Sequence, residues 1–378
     1  MEVCLDGQPL LGHISGIGRY ALNLYHHLAV HQDLKITLGF NRIAKNLSIT
    51  DLPQGISENH CMNNRYPYKA IRKLLKPNLL YQVPFDFGHK VKYDVFHGTN
   101  FTYMPIQRGK KVVSIHDLAF MKYPHTTSKQ IYNHHMKWVP YCAQHADHII
   151  TISEATKQDI IQLLSIRPEK ITVTPLAAEE HFVPMYESDY HYIFNKYQLP
   201  NNYILFVGTV EARKNLLTLV KAYHHLINHN DINYKLLIVG ASGWKTSSLF
   251  QYIKEHELQE SILFTGYIED ADLPAIYNGA KLLVMPSWYE GFGLPLVEAM
   301  RCGIPVIGSN ISSIPEVIGE DGLLCDPNQP EEWAETINMV MRDDSIYRSW
   351  CDYSLRRASL FDWKHTAEQT VNVYRNLL

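Results

Sequence analysis

Four groups of residues carry types and spacings that can do chemistry. Glu290 and Glu298 stand eight positions apart, with Gly291-Phe292-Gly293-Leu294-Pro295 between them. The glycines let the backbone approach a ligand closely, and Pro295 suits the first turn of a helix. A helix N-terminus behind such a loop favours an anion. Two acids about a βα turn also describe an ordinary solvated loop, so this spacing alone leaves both readings open. Glu211-Ala212-Arg213-Lys214-Asn215 follows Phe206-Val207-Gly208 and opens another helix. Cations at a helix N-terminus oppose the dipole, which suits a diphosphate clamp better than the helix itself; a solvated turn is the alternative. His116-Asp117 ends an apolar strand, so the pair points to the strand-end side of a sheet. Gly16-Ile17-Gly18-Arg19-Tyr20-Ala21 matches the dinucleotide fingerprint. It does not follow the first strand directly, however, and no acid stands about twenty residues on. A loop cradling some other phosphate, or a plain helix start, fits it better.

Weaker signals are set aside. Asp270-Ala271-Asp272 precedes a helix, where acids are ordinary caps, and a metal-binding reading is the lesser one. The doublets His26-His27, His134-His135 and His224-His225 fall in helical stretches without a third metal ligand at suitable spacing.

These groups must be held by alternating strands and helices. Strands are expected over 3–5, 35–40, 94–97, 111–115, 148–152 and 170–173. A second series follows over 203–207, 235–239, 262–265, 281–285, 305–308 and 323–325. Short apolar strands alternating with helices imply parallel sheets covered on both faces. The stretch 175–200 carries three prolines and no clean period, so it reads as a connection. The expected organisation is an α/β chain of two Rossmann-like domains whose parallel sheets face a central cleft. Residues 1–180 form the first domain, 181–200 the linker and 201–360 the second domain. A C-terminal helix over 361–378 packs back on the first.

Length and composition agree with two domains: 378 residues, 46% of them hydrophobic. A net charge of −3 argues against a chain-wide nucleic-acid surface. The six cysteines form no Cys-x-x-Cys, which suggests neither a zinc site nor a disulfide framework. Neither a signal peptide nor a membrane span is expected. Charge is uneven: ten basic residues lie between Cys61 and Lys111 against Asp86 and Asp94, a local balance of +8. Such a run is usually a solvated face. An anionic membrane surface or an anionic acceptor is the functional alternative.

Taken together, the chain resembles retaining glycosyltransferases of family 4, with the GT-B architecture. The resemblance spans nearly the whole chain. It rests on Ser15-Gly16-Ile17-Gly18-Arg19-Tyr20, Ile115-His116-Asp117-Leu118, the 207–215 turn, Phe264-Thr265-Gly266-Tyr267-Ile268 and the Glu290/Glu298 block. Within the family it is most similar to mannosyltransferase-type members that build bacterial surface polysaccharides, including lipopolysaccharide O-antigen. The resemblance implies a hexosyltransferase using a nucleotide-diphospho-sugar donor and a glycan or lipid-linked acceptor. GDP-mannose is the implied donor, with UDP-glucose or a UDP-hexosamine next. Arg213 and Lys214 would neutralise the diphosphate, with Gly16 and Gly208 backbone near it. Glu290 and His116 would contact the sugar, and Phe292, Gly293 and Leu294 amides would hold sugar or phosphate. Glu298 would bind the ribose, Tyr267 and Ile268 would flank the base, and Asn100 would face the acceptor. No metal or other cofactor is implied. The implied setting is the cytoplasm, with peripheral contact at the inner membrane face through the basic stretch 61–111. A non-catalytic nucleotide-sugar binder is the reading from another functional class.

Overall fold

The computed structural model describes all residues except 13, 42–51, 54, 65–67, 83–92, 107 and 230–231. Of the basic stretch, Arg65, Lys90 and Lys92 therefore lie outside the described residues. Two compact units are resolved. One comprises Met1–Lys122, Lys129–Leu176 and Trp363–Leu378; the other comprises Tyr123–Ser128 and Ala177–Asp362.

The first unit holds strands β1 (Glu2–Asp6), β2 (Lys35–Asn41), β3 (Cys61–Asn64), β4 (Val95–Gly98), β5 (Lys110–Ile115), β6 (His148–Thr151) and β7 (Ile171–Val173). They form a parallel sheet in the order β3-β2-β1-β4-β5-β6-β7. Strand β3 is not foreseen from the sequence. Its residues, Cys-Met-Asn-Asn, form no apolar run, and it pairs at the sheet edge with Leu38 opposite Cys61. Such an edge strand depends on backbone bonds to β2 rather than on burial of both faces.

The helix Trp363–Leu377 belongs to this unit. Tyr374 Oη lies 2.6 Å from His97 Nδ1, and His97 Nε2 lies 2.7 Å from Ser114 Oγ. Tyr20 Oη meets the same Ser114 Oγ at 2.7 Å. One buried polar chain thus ties the C-terminal helix, β4, β5 and the helix Gly16–Ala29 together. Burial, with the neighbouring His116, holds the His97 pKa down to about 3, so the imidazole stays neutral.

The second unit holds β8 (Tyr203–Val207), β9 (Lys235–Val239), β10 (Ile262–Gly266), β11 (Leu282–Met285), β12 (Val306–Ser309) and β13 (Leu323–Cys325). Their order is β10-β9-β8-β11-β12-β13, again parallel. Strands β8 and β11 are buried at every residue, as a doubly covered sheet requires. The helix Leu216–Asn228 buries Leu216, Leu219, Val220, Tyr223 and Leu226 against this core, and Ile227 is partly buried beside them.

The stretch expected to be a linker contains the helix Glu187–Tyr197, which buries Tyr190, Ile193 and Phe194 in the second unit. Asp272 anchors it: Lys196 Nζ and Tyr197 Oη both donate to its Oδ2, at 2.6 and 2.7 Å. Asp272 precedes the helix Leu273–Asn278 but makes no capping bond there. The expected cap is instead a tether, because a lysine and a tyrosine from another helix reach the carboxylate. No helix among the described residues is long and apolar enough to cross a membrane.

In each sheet the chain reverses its direction of progression at one place: between β1 and β4 in the first, between β8 and β11 in the second. Ligands in open α/β sheets bind outside the carboxyl ends of strands at such points.

Candidate active site

In the second unit the residues singled out by sequence converge on the β8/β11 reversal. After β8 the chain passes Gly208 at φ 151. A Cβ there would lie 3.3 Å from Phe206 Cζ and in ordinary contact, 3.7 Å, with Lys214 Cε, so it is the positive φ that calls for glycine. A short 3-10 turn, Ala212–Lys214, then ends at Asn215 in the left-handed region, φ 52, a conformation Asn tolerates. Asn215 Nδ2 donates to the carbonyls of Pro286 and Pro327 at 3.0 and 2.7 Å. These bonds pin the cationic turn to the loops after β11 and β13.

That loop delivers Glu290. Lys214 Nζ donates to both of its carboxylate oxygens, at 2.7 and 2.9 Å. Arg213 Nη1 reaches Oε2 at 3.2 Å, and Ser287 Oγ donates to Oε1 at 2.6 Å. Arg213 also binds Glu211 Oε1, through Nη2 at 2.7 Å and Nε at 3.1 Å, and the Tyr289 carbonyl at 2.6 Å. The backbone around Glu290 is held in turn by Ser312 and Ser313, whose hydroxyls donate to its carbonyl at 2.7 and 3.0 Å. Burial alone would raise the Glu290 pKa. The charges of Lys214 and Arg213 and the bonds from Lys214 and Ser287 outweigh it and hold the pKa down to about 2. Glu290 is therefore ionised throughout the physiological range.

Two cations and two carboxylates, Glu211 and Glu290, make a formally neutral cluster. Its members are not equally covered. Arg213 and Lys214 keep 17% and 12% of their side chains exposed, whereas the two carboxylates keep 7% and 8%. Arg213 is the most accessible member, and the other three are nearly closed off.

The loop then turns through Gly293 at φ 106 into the helix Leu294–Arg301, with Pro295 in its first turn. Phe292 is buried and packs edge-to-face on Phe361, centroids 5.6 Å apart, so only its backbone is left for a ligand. Glu298, assigned to a ribose by resemblance, is 1% exposed. Tyr277 Oη donates to its Oε2 at 2.6 Å. At the end of β10, Gly266 has open space where a Cβ would stand; Tyr267 is exposed and Ile268 buried.

The first unit carries the other residues singled out by sequence. Ser15 caps the helix Gly16–Ala29 by accepting from Gly18 N. Gly16 faces open space, whereas a Cβ on Gly18 would lie 2.7 Å from the Pro9 carbonyl. The two glycines of one motif thus do different work: Gly18 admits its own chain, and Gly16 leaves the helix start uncovered. His116, at the end of β5, is 6% exposed, and its Nε2 lies 2.8 Å from the Thr99 carbonyl. A carbonyl only accepts, so Nε2 carries the hydrogen and Nδ1 is the acceptor of the neutral ring. Burial pushes the His116 pKa down; the Thr99 bond and Asp117 oppose it. The rings of Tyr20 and Phe101 flank His116 edge-on at 4.8 and 5.5 Å. Asn100 follows Thr99 and is exposed at the end of β4.

Glu211, Ser287, Ser312 and Tyr277 carry this arrangement without having been singled out for it. Glu211 opens the cationic motif itself. Ser287 stands three positions before Glu290 in the same loop, whereas Ser312 and Tyr277 reach their glutamates from more than twenty positions away, which no spacing reveals. Among the described residues, no three His, Cys, Asp or Glu side chains are grouped so as to hold a metal ion.

The family models agree with the two-unit division. Residues 14–179 match "Glycosyltransferase Family 4" and residues 193–357 match "Glycosyl transferases group 1". O-antigen chain mannosyltransferase B of Escherichia coli is 32% identical over 387 aligned residues, covering all of both chains. Among solved structures, sucrose-phosphate synthase of Thermosynechococcus elongatus superposes with a TM-score of 0.76 at 22% identity, over 100% of this chain and 99% of that one. Anabaena HepE, solved with UDP and glucose, gives 0.72 at 19% identity over the whole of both chains. With two family models in succession and 32% identity over its full length to a mannosyltransferase, the chain belongs to glycosyltransferase family 4, as a hexosyltransferase of GT-B fold.

Proposed function

We propose that the protein transfers mannose from GDP-mannose, with retention at the anomeric carbon, to a hydroxyl of a glycan or lipid-linked acceptor in surface-polysaccharide synthesis. The two cations Arg213 and Lys214, clasped on Glu290 at a strand end, carry this reading. Breaking a glycosyl–phosphate bond develops negative charge on the departing diphosphate and positive charge at the sugar ring. Preorganised cations stabilise the first without reorganisation. Because each cation already leans on a carboxylate, its position is set before the donor arrives. In the reaction the anomeric C–O bond to phosphate breaks and the acceptor oxygen bonds to the same face of that carbon. The acceptor proton passes to the departing phosphate oxygen, and GDP leaves. No metal enters this scheme, since Arg213 and Lys214 supply the positive charge. His116, neutral and held by Thr99, offers Nδ1 to a sugar hydroxyl. The mannose assignment follows the full-length mannosyltransferase relative.

The test is transfer measured with GDP-mannose, UDP-glucose and a UDP-hexosamine, with product configuration read by NMR. Mannose transfer giving an α-linked product is expected. Preference for a UDP-sugar would replace the donor assignment, an inverted product would replace the stereochemical one, and donor binding without turnover would make the protein a binder. Lys214→Ala or Arg213→Ala should raise the barrier by about 2–4 kcal/mol. Full turnover in a folded variant would remove these two residues from the diphosphate site.

A further inference from the structure

Two cavities of the second unit adjoin each other beside the helix Leu216–Asn228. The first, of about 300 Å³, is lined among others by Glu211, Leu217, Lys221, Leu249 and Trp288. The second, of about 480 Å³, is lined among others by Lys221, Asn228, Tyr252 and Glu331. Lys221, Asn328 and Pro330 border both, so the two make one elongated groove. Its other walls come from the helices Ser247–Glu255 and Pro330–Arg342. The Trp288 indole is half-buried, and no partner among the described residues takes its N–H. Glu211 spends Oε1 on Arg213 and keeps Oε2 unbonded among the described residues. Lys221 is exposed and stands 5.8 Å from the centroid of the Tyr252 ring. Lys245, which also lines the first cavity, donates to the His125 carbonyl.

The lining identifies the chemistry. Apolar surface from Leu217, Leu249 and two aromatic rings alternates with single donors and acceptors. A phosphate only accepts: it would suit Lys221 and the indole N–H but stand against Glu211 and Glu331. A cation would meet Lys221. A purely apolar ligand would leave the indole N–H and the Glu211 carboxylate without partners. A hydroxyl both donates and accepts, and a sugar ring joins several hydroxyls to a C–H face that aromatic rings can cover. One cavity holds a single ring; two cavities in line, each with its own aromatic side chain, fit linked rings. We propose that this groove holds a short stretch of neutral glycan, the chain that the protein extends, apart from the reacting atoms. That the glycan is the protein's own product rests on the transferase reading above. The backbone N–H of Trp288 donates to the Arg213 carbonyl at 3.0 Å, so a chain held here stays beside the cationic turn between transfers.

The test uses the full chain with α-linked mannotriose as probe, measured by calorimetry, and inorganic phosphate as competitor. Mannotriose should bind the wild type, undisturbed by phosphate, and Trp288→Ala should weaken it about tenfold. Lys221→Glu, at the border of the two cavities, should weaken it as well. Because Lys221 is exposed, this variant decides the matter if Trp288→Ala loses its fold. GDP-mannose affinity should stay at the wild-type value in both. Transfer separates the groove from the reaction centre. Methyl α-D-mannopyranoside, too short to reach along the groove, should accept mannose at the wild-type kcat/KM in both variants, whereas mannotriose should lose its advantage over it. Four results would each overturn the groove: no mannotriose binding in the wild type, displacement by phosphate, wild-type mannotriose affinity in the folded variants, or a parallel fall in GDP-mannose affinity. Binding of maltotriose in place of mannotriose, lost in the same variants, would keep the groove and remove mannose. Groove binding without transfer from any donor would remove the transferase reading and leave the groove standing.

Discussion

The two sheets reverse direction in the same way, yet the crevices at their reversal points are built on opposite principles. At the β8/β11 point the two carboxylates of the cluster are paired, Glu290 with Lys214, Arg213 and Ser287, and Glu211 with Arg213. At the β1/β4 point Gln8 Nε2 and Asn41 Oδ1 are buried with no partner among the described residues. Two buried acids report the difference. Burial acts to raise both pKa values, but Glu290 is brought down to about 2 by direct contact with two cations. Asp6 is pushed up to about 6, because the Gln8 amide and the charge of Arg72 offset only part of its burial. One crevice is organised around balanced full charges in direct contact. The other sets the buried carboxylate of Asp6 beside Arg72 and Lys73 without a cation in hydrogen-bond contact among the described residues.

The contrast breaks first at Glu290. Removing one partner of a buried ion pair leaves the others uncompensated. Glu290→Gln should therefore cost about 3–5 kcal/mol of stability at pH 7. Its folded-state pKa lies below the reference value of 4.5, so the stabilisation is complete above about pH 4.5 and is lost as pH falls toward about 2. Urea midpoints for the two proteins should converge over that window. A gap that stays constant from pH 7 to pH 3 would show that the ionised carboxylate is not what holds the cluster.

Asp6 should behave in the opposite sense. Its folded-state pKa is raised from 3.8 to about 6, so folding disfavours the charged form. The resulting cost is absent below pH 3.8, grows between 3.8 and about 6, and is full above. Asp6→Asn should stabilise the protein by on the order of 2–3 kcal/mol at pH 7 and by nothing at pH 3.5. A destabilised Asn variant at pH 7 would mean that the carboxylate is needed where it stands, and the contrast with Glu290 would fall.

The smallest effects separate Gly16 from Gly18. Gly18→Ala must push against the Pro9 carbonyl and should cost about 1–3 kcal/mol. Gly16→Ala meets nothing and should stay within about 0.5 kcal/mol of wild type. If Gly16 lies against the donor phosphates, GDP-mannose affinity falls in Gly16→Ala without a change in melting temperature. Equal stability losses in both variants would remove the distinction.

The sequence by itself determined the alternation of strands and helices, because apolar runs of strand length between amphipathic stretches admit few other folds. β8 and β9 occur at 203–207 and 235–239, as expected. It also brought out Arg213, Lys214, Glu290 and Glu298, whose residue types are costly to place near a buried strand end without a reason. Local signals, however, carry no information about partners far along the chain. Strand β3 escaped notice because an edge strand needs no apolar run, and the helix Glu187–Tyr197 because prolines flank it. Only the tertiary structure decided that Glu290 is clasped by Lys214 across 76 positions and that Glu298 is covered with Tyr277 at its carboxylate. It alone placed Gln8, Asn41 and Arg72 around one cavity. Hydrogen bonds and desolvation act through space, so which polar groups are paired and which are left wanting is settled only when the strands are brought side by side.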